Sequence, residues 1–352
     1  MTIYFVIYFL IAGIASFDIL CVKKYQRYII MIFLWLLLTL FAGLRYDNAD
    51  WGEYVIRFEE AISTSEFTSV DIGFDIISKF LGLFTDSPLS LFLFYSATAT
   101  ALNIESFRKY SPYFLICILF YFVHHYVLKE MIQIRAGLAS AICLYSIRYL
   151  SGNKYKKFFL IWIIAVSVHL SAVIWGITWF CHRYKMTFKW VNYLVILSLI
   201  IGIVYPFGNL IKLFANGIDE RLTAYIAYGD EGYAGTLGIF TNINTLKSMF
   251  VFSIITLYHK RLESSSKYFI SIYYAYAAGL SWLMIFNDFA IIGARMSSIL
   301  FSVEPVVISY IYSLMSYKSR PVFYVILIVI TLAMLLVNME PNKITEYNFY
   351  FS

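Results

Sequence analysis

The feature that most constrains this chain is a succession of long apolar runs separated by short polar stretches. A bilayer crossing needs about 20 mostly apolar residues. Ten runs qualify as candidates: residues 3–22, 28–44, 88–104, 112–128, 134–150, 190–205, 243–258, 268–287, 294–317 and 321–338. One further apolar run, 158–181, behaves differently. Over the 352 residues, 61% are hydrophobic and 14% charged, whereas soluble domains carry about 25% charged residues. So few charges cannot clothe a water-facing surface. A soluble enzyme, a secreted disulfide module and a disordered tail are excluded. The expected fold is an all-α polytopic membrane protein, with residues 1–352 forming a single integral membrane domain. The net charge of +6 is too small to argue for a nucleic-acid partner. Cys21, Cys117, Cys143 and Cys181 lie in or at the ends of apolar runs and form no CxxC pair. They read as small buried hydrophobes, not as disulfides or metal ligands. The first Lys, Lys23, follows the first apolar run, so the basic stretch that opens a signal peptide is missing.

Basic residues orient the spans, because short cytoplasmic loops are enriched in Lys and Arg. Lys23, Lys24 and Arg27 follow the first run and place that loop inside. Arg108 and Lys109, then Arg148, Lys154, Lys156 and Lys157, fall where the next inner loops should be. The run 158–181 has basic clusters at both ends, since Arg183, Lys185 and Lys189 follow it. A single crossing would put these outside, together with Lys260, Arg261 and Lys267. Its 24 residues are too few for two crossings. The sequence therefore predicts a re-entrant helical hairpin with His169 and Ser171 at its apex. Such backbone survives at depth only when buried in protein or lining a watery cavity. With about ten transmembrane helices plus this hairpin, both termini lie outside. Seventeen Lys and Arg then face the cytoplasm and ten face out, while seventeen acids face out and two face in.

The outer face carries two large loops, residues 45–87 and 206–242. In the first, Trp51, Tyr54, Val55, Phe58 and Ile62 recur at helical spacing, with Glu53 and Arg57 four apart on the other side. This predicts a short helix lying in the membrane interface. In the second, Gly229, Gly232, Gly235 and Gly238 alternate with Tyr228, Tyr233 and acids, which reads as a mobile loop near a site. So much outer polar surface points to the outer face as the working one.

Ionisable groups near or inside a bilayer are costly, and so are functional candidates. Arg45 ends the second run. Arg135 opens the fifth, near His124, His125, Lys129 and Glu130. Asp288 and Arg295 flank the outer start of a late run, and Arg221 lies in the second loop. Guanidinium groups bind phosphate through paired hydrogen bonds and keep their charge at depth. The ligand this set suits is an anionic headgroup on a lipid. Arg45 and Arg135 read equally well as anchors whose heads snorkel to water. Arg295 reads equally as a partner of Asp288, and His169 also as a satisfied core histidine. Adjacent His124 and His125 lack the acidic or Cys set of a metal site. Most acids between Asp47 and Glu60 form a solvated face, Asp50 being the exception. No phosphate-binding glycine loop, zinc-protease or serine-hydrolase motif occurs.

Four blocks carry a resemblance. They are Gly43-Leu44-Arg45-Tyr46 with Asn48-Ala49-Asp50-Trp51 and Tyr54; Ile134-Arg135-Ala136-Gly137-Leu138-Ala139; Val168-His169-Leu170-Ser171-Ala172-Val173-Ile174; and Arg295-Met296-Ser297. In these the chain resembles the EpsG-like, Wzy-type bacterial polysaccharide polymerases of O-antigen or capsule synthesis. It departs from their pattern at Asn48-Ala49, in place of Gly-Thr, and at Ala136, in place of Gln. The resemblance implies a GT-C-like polymerase architecture in the bacterial inner membrane. It implies work at the outer face on undecaprenyl or other polyprenyl pyrophosphate-linked oligosaccharide repeat units. It implies no nucleotide sugar, no cofactor and no obligatory metal, with a chain-length regulator protein as a further partner beside membrane lipid. Arg45, Arg135 and Arg295 are then expected on the pyrophosphate, with Arg221 as a fourth. His169 is the first choice of base and Asp50 the second. Tyr46, Trp51 and Tyr54 are expected to stack on sugars. A flippase for the same lipid-linked glycan and an O-antigen ligase are the alternatives.

Overall fold

The computed structural model describes residues 2–19, 24–47, 49–208, 235–339 and 346–351. Arg221, Cys21 and most of the second large loop lie outside the described residues. Along the chain the helices are α1 (Thr2–Ala15), α2 (Lys24–Gly43), α3 (Trp51–Ser63), α4 (Ile72–Gly82), α5 (Leu89–Tyr110), α6 (Phe114–Tyr121), α7 (Val127–Lys129), α8 (Ile134–Leu150), α9 (Tyr155–Val168), α10 (Gly176–Arg183), α11 (Phe188–Val204), α12 (Ile243–Leu257), α13 (His259–Ser265), α14 (Phe269–Ile285), α15 (Ala290–Leu300), α16 (Glu304–Leu314) and α17 (Arg320–Asn338). Among the described residues, three stretches are long and apolar enough to cross a bilayer: Gln26–Gly43, Ala290–Leu314 and Arg320–Asn338. Shorter apolar helices span Thr2–Asp18, Phe114–Lys129, Phe188–Val204, Ile243–Leu257 and Phe269–Ile285. The all-α membrane class read from the apolar runs therefore stands. Cys117, Cys143 and Cys181 are free and buried.

Two compact units emerge. The first comprises Met1–Ser146, Lys156–Ala172 and Pro305–Ser352; the second comprises Ile147–Tyr155 and Val173–Glu304. Lipid tails are as apolar as leucine, so helices in a bilayer associate by close packing and hydrogen bonds rather than by hydrophobic burial. The first unit follows this rule. α2 and α5 pack along each other where α5 carries the small-residue run 96–101, Ser-Ala-Thr-Ala-Thr-Ala. Thr39 and Thr100 hydroxyls meet at 3.1 Å, Ser96 donates to the Thr39 carbonyl, and the Trp35 indole donates to the Ala97 carbonyl. At the C-terminal end of α2, a Cβ on Gly43 would sit 3.1 Å from the Leu93 Cα. Only glycine permits this approach.

Every residue of α6 is buried. Its N-terminus is satisfied by Asp18, whose carboxylate accepts from the backbone N–H groups of Leu115 at 2.7 Å and Ile116 at 3.2 Å. A carboxylate at a helix N-terminus meets both orphan donors and the positive end of the helix dipole. α17 joins α1 through Tyr8 and Tyr324, which donate to the carbonyls of Ile328 and Ala12. A π-helical turn at Phe122–Tyr126 interrupts the run between α6 and α7, and Asn338 donates to the Val123 carbonyl there. One feature has no counterpart in the apolar pattern. β1 (Arg45–Tyr46) pairs antiparallel with β2 (Asn348–Phe349), Arg45 opposite Phe349. Residues 348–349 are thereby tied to the segment that follows α2.

The second unit is built on α14, which packs against α10, α11, α12 and α15. Tyr273 donates to Asn192 and Tyr274 to the Met186 carbonyl. Lys247 forms an ion pair with the buried Glu304 at 2.9 Å, and the Tyr276 hydroxyl donates to the same carboxylate at 3.3 Å. Asp288 accepts from the Gly208 N–H, and Asn287 donates to the Gly202 and Met284 carbonyls, closing the turn after α14.

Candidate functional site

The first unit gathers several of the expected residues around one that the sequence reading passed over. Asp71 immediately precedes α4. Its Oδ2 lies 2.7 Å from Nη1 of Arg135, at the start of α8, and 3.4 Å from Nδ1 of His169. Its Oδ1 accepts from the Leu170 N–H at 3.0 Å. Three distant segments meet at one carboxylate. The Arg135 side chain is 16% exposed, that of Asp71 8% and that of His169 21%, so the group is largely dry yet reachable. Glu53 approaches Arg135 at 3.9 Å and pairs with Arg57 at 2.6 Å across one helical turn. The Arg135 guanidinium lies over the rings of Tyr54 and Phe74, 5.4 and 5.8 Å from their centroids. Its buried Nε has no hydrogen-bond partner.

Local structure explains why Asp71 sits there. The chain before α4 is held by Asp75, whose Oδ2 accepts from the N–H groups of Thr68 and Ser69 at 2.7 and 2.8 Å. Lys79 donates to the carbonyls of Ser65 and Glu66. On the other side, α9 ends at Val168 and His169 falls between it and a 3₁₀ turn, Leu170–Trp175. The break frees the Leu170 N–H, which Asp71 takes up. α4 comes against this break at Gly73. A Cβ there would lie 2.7 Å from the Ser167 carbonyl carbon and 2.8 Å from the Val168 nitrogen. Backbone cannot give way cheaply. Gly73→Ala should therefore cost about 1–3 kcal/mol by overpacking and shift Asp71. The melting temperature and activity of the purified variant check this, and wild-type values for both would refute it.

Burial alone would raise the Asp71 pKa. The His169 hydrogen bond and charge, the Arg135 charge and the Leu170 N–H outweigh it and hold the carboxyl below its ordinary value. A carboxylate depressed on folding adds stability that is full above the unfolded pKa of about 3.9 and is lost as pH falls through the lower folded value. Asp71 thus stabilises at neutral pH and ceases to do so in the acid range below about 4. Melting curves of wild type and Asp71→Asn should converge in that range and diverge above it. Parallel curves at every pH would refute the assignment.

The other expected residues take different places. Tyr54 is buried and supports Arg135 instead of presenting an open sugar platform. Tyr46 and Trp51 lie 4.6 Å apart, and Trp51 stacks on Phe92, which also meets Tyr54. An aromatic file thus runs from the half-exposed Tyr46 toward Arg135. Asp50 precedes α3, and its carbonyl accepts from the Tyr54 N–H. On α3, Tyr54, Phe58 and Ala61 are buried within the protein, while Trp51, Val55 and Ile62 are partly exposed and Ile56 is exposed. Arg45 is 1% exposed, with the Tyr4 ring 6.0 Å from its guanidinium and Tyr347 stacked on Phe41 close by. Arg295 is exposed on α15 of the second unit. Arg221 lies outside the described residues.

An acid in a predicted outer loop reads as solvated, which hides Asp71 in the sequence. The available signal was Asp71-Ile72-Gly73-Phe74-Asp75, two acids bracketing a glycine at the start of a helical apolar pattern.

Apolar helices whose ends bring together an arginine, a carboxylate and a histidine define a polytopic membrane protein with a polar site among its helix ends. Within that class the chain belongs to the EpsG family, whose model matches residues 28–350, a range containing all four sequence blocks. It is similar to the amylovoran biosynthesis protein AmsC of Erwinia amylovora, being 27% identical over 290 residues, which cover 78% of this chain and 76% of that protein. No solved structure matches the chain.

Proposed function

We propose that this protein is a glycosyltransferase that polymerises polyprenyl pyrophosphate-linked oligosaccharide repeat units at the outer face of the bacterial inner membrane. The observation that carries the reading is the single carboxylate of Asp71 joining Arg135 to His169. Membership of the EpsG family and similarity to a protein of amylovoran biosynthesis support it. The reaction forms a bond between an acceptor hydroxyl oxygen and the anomeric carbon of the donor sugar. The bond from that carbon to the pyrophosphate oxygen breaks, and the pyrophosphate leaves with the electron pair. The acceptor proton goes to a base. His169 suits this role: with Nδ1–H directed at Asp71, Nε2 is left to accept. Substrate-free sites often hold such contacts long, as the 3.4 Å distance here, and tighten them around substrate. Arg135 stabilises the charge that develops on the leaving group. Its cation stays desolvated between Tyr54 and Phe74, and its unpartnered Nε keeps a donor free. Arg45, Arg221 and Arg295 remain further candidates for pyrophosphate, Asp50 a second candidate base, and Tyr46 and Trp51 the sugar platform. Ten crossings, a re-entrant 158–181 segment and outer termini complete the reading. Cysteine labelling at Lys185 and Lys260 from outside intact cells should fail if both lie in the cytoplasm.

A gel of lipid-linked glycans from cells with and without the protein tests the function. Loss of the ladder with single repeats persisting is the expected result. Long chains held on the carrier lipid would instead indicate a ligase. Single repeats confined to the cytoplasmic leaflet would indicate a flippase.

A further inference from the structure

We propose that α4 lies in the outer lipid leaflet, with Ile72, Ile76, Phe80, Leu83 and Phe84 in contact with lipid acyl chains. These five are 50, 53, 53, 79 and 74% exposed. Their spacing sets them along one side of a helix. The opposite side is buried and partly polar: Gly73, Phe74, Asp75 and Ser78 face the protein, and Asp75 spends its carboxylate on the loop before the helix. A helix at a water-facing surface shows the reverse pattern. Contiguous apolar patches of this kind mark an interaction surface.

The occupant follows from where the helix ends. α2 contains a bilayer-length apolar segment, Gln26–Gly43, whose Ile29, Ile32, Phe33, Leu36 and Leu40 are exposed to its surroundings. Packing of Gly43 on Leu93 sets the C-terminal end of α2 level with the first turns of α5. Phe84 precedes Leu89 by five residues, a reach of at most about 18 Å. The chain is coiled there, with Phe84 and Thr85 N–H groups bonded back to the Leu81 carbonyl. The exposed stripe therefore continues the lipid-facing surface of the spans and lies at the level of the headgroups and upper acyl chains, where amphipathic helices bind. Because Asp71 opens α4, this contact sets the height of Asp71 relative to the bilayer. The inference rests on the outer orientation proposed above, but not on which reaction the site performs.

The test uses the full chain in nanodiscs of phosphatidylethanolamine and phosphatidylglycerol, with its native cysteines replaced and a nitroxide placed at position 80 or, for comparison, at Glu60 on α3. Accessibility to oxygen, which partitions into lipid, is read against a water-soluble nickel chelate. The oxygen-to-nickel ratio at position 80 is expected to exceed that at position 60 several-fold. Equal ratios would place the stripe in water and overturn the proposal. Low accessibility to both reagents would mean a protein covers it and would also overturn it. A lipid signature that forms only when a polyprenyl phosphate is added would assign the stripe to the carrier's isoprenoid tail instead of bulk lipid. If the cysteine-free chain does not fold, a photoreactive benzophenone residue at position 80 of the otherwise native chain gives the same decision. Cross-linked phospholipid supports the proposal, and cross-linking to protein alone or the absence of any cross-link refutes it.

Discussion

Asp71→Asn should lower polymer formation by about two to four orders of magnitude, the range lost when a positioned acid–base pair is disabled. The substitution keeps shape but removes charge. One oxygen becomes an NH₂ donor, while Asp71 now faces only donors: Arg135 Nη1 at 2.7 Å, the Leu170 N–H at 3.0 Å and the His169 Nδ1 at 3.4 Å. An amide cannot accept from all three. His169 then loses the contact that fixes its tautomer and ring orientation, and Arg135 loses its counter-charge. Asp71→Ala goes further. Removing one partner of a buried ion pair costs about 3–5 kcal/mol, with the lower end expected here because Arg135 is partly exposed and Glu53 stands 3.9 Å away. Reading melting temperature and turnover on both variants separates folding from chemistry. A folded Asp71→Asn protein with wild-type turnover would eliminate Asp71 from the mechanism. His169→Ala should match Asp71→Asn in effect, and the double variant should be little worse than either, because groups acting as a unit are not additive.

Arg135→Lys is the second large effect, an expected loss of about 10²–10³-fold in turnover, comparable to removing a donor that stabilises developing negative charge. Charge is retained in this change, so a simple anchor would tolerate it. Geometry is not retained. The guanidinium reaches Asp71 while lying over Tyr54 and Phe74. A lysine ammonium is a compact, more strongly hydrated point charge that cannot present a planar fork. The loss should fall mainly on kcat, since the pyrophosphate gains charge as it leaves. A changed KM with unaltered kcat would assign Arg135 to ground-state binding, and full activity would make it an anchor.

How far this site could be read beforehand differs by residue. Arg135 and His169 stand out in one dimension because charge and imidazole are costly among apolar residues, whatever the fold. Asp71 does not stand out. Its importance arises because the loop before α4 is pinned by Asp75, and because the helix break at His169 exposes an N–H that only a nearby acceptor can satisfy. Tyr54 and Phe58 were visible as a periodic apolar face, but periodicity does not say whether that face meets lipid or protein. Here Tyr54 and Phe58 meet protein, and α4 carries an exposed apolar stripe of its own. The burial of Arg45 beside Tyr4 and Tyr347 joins the two ends of the chain, a pairing no local pattern encodes.

The amino-acid order by itself determined the membrane class and the helical character, because a bilayer admits few alternatives for runs of apolar residues whose backbone must satisfy itself. The meeting of Asp71, Arg135 and His169 was decided only by tertiary structure. It depends on long-range packing, in which a glycine at position 73 lets one backbone approach another and three separate segments supply the carboxylate, the guanidinium and the imidazole.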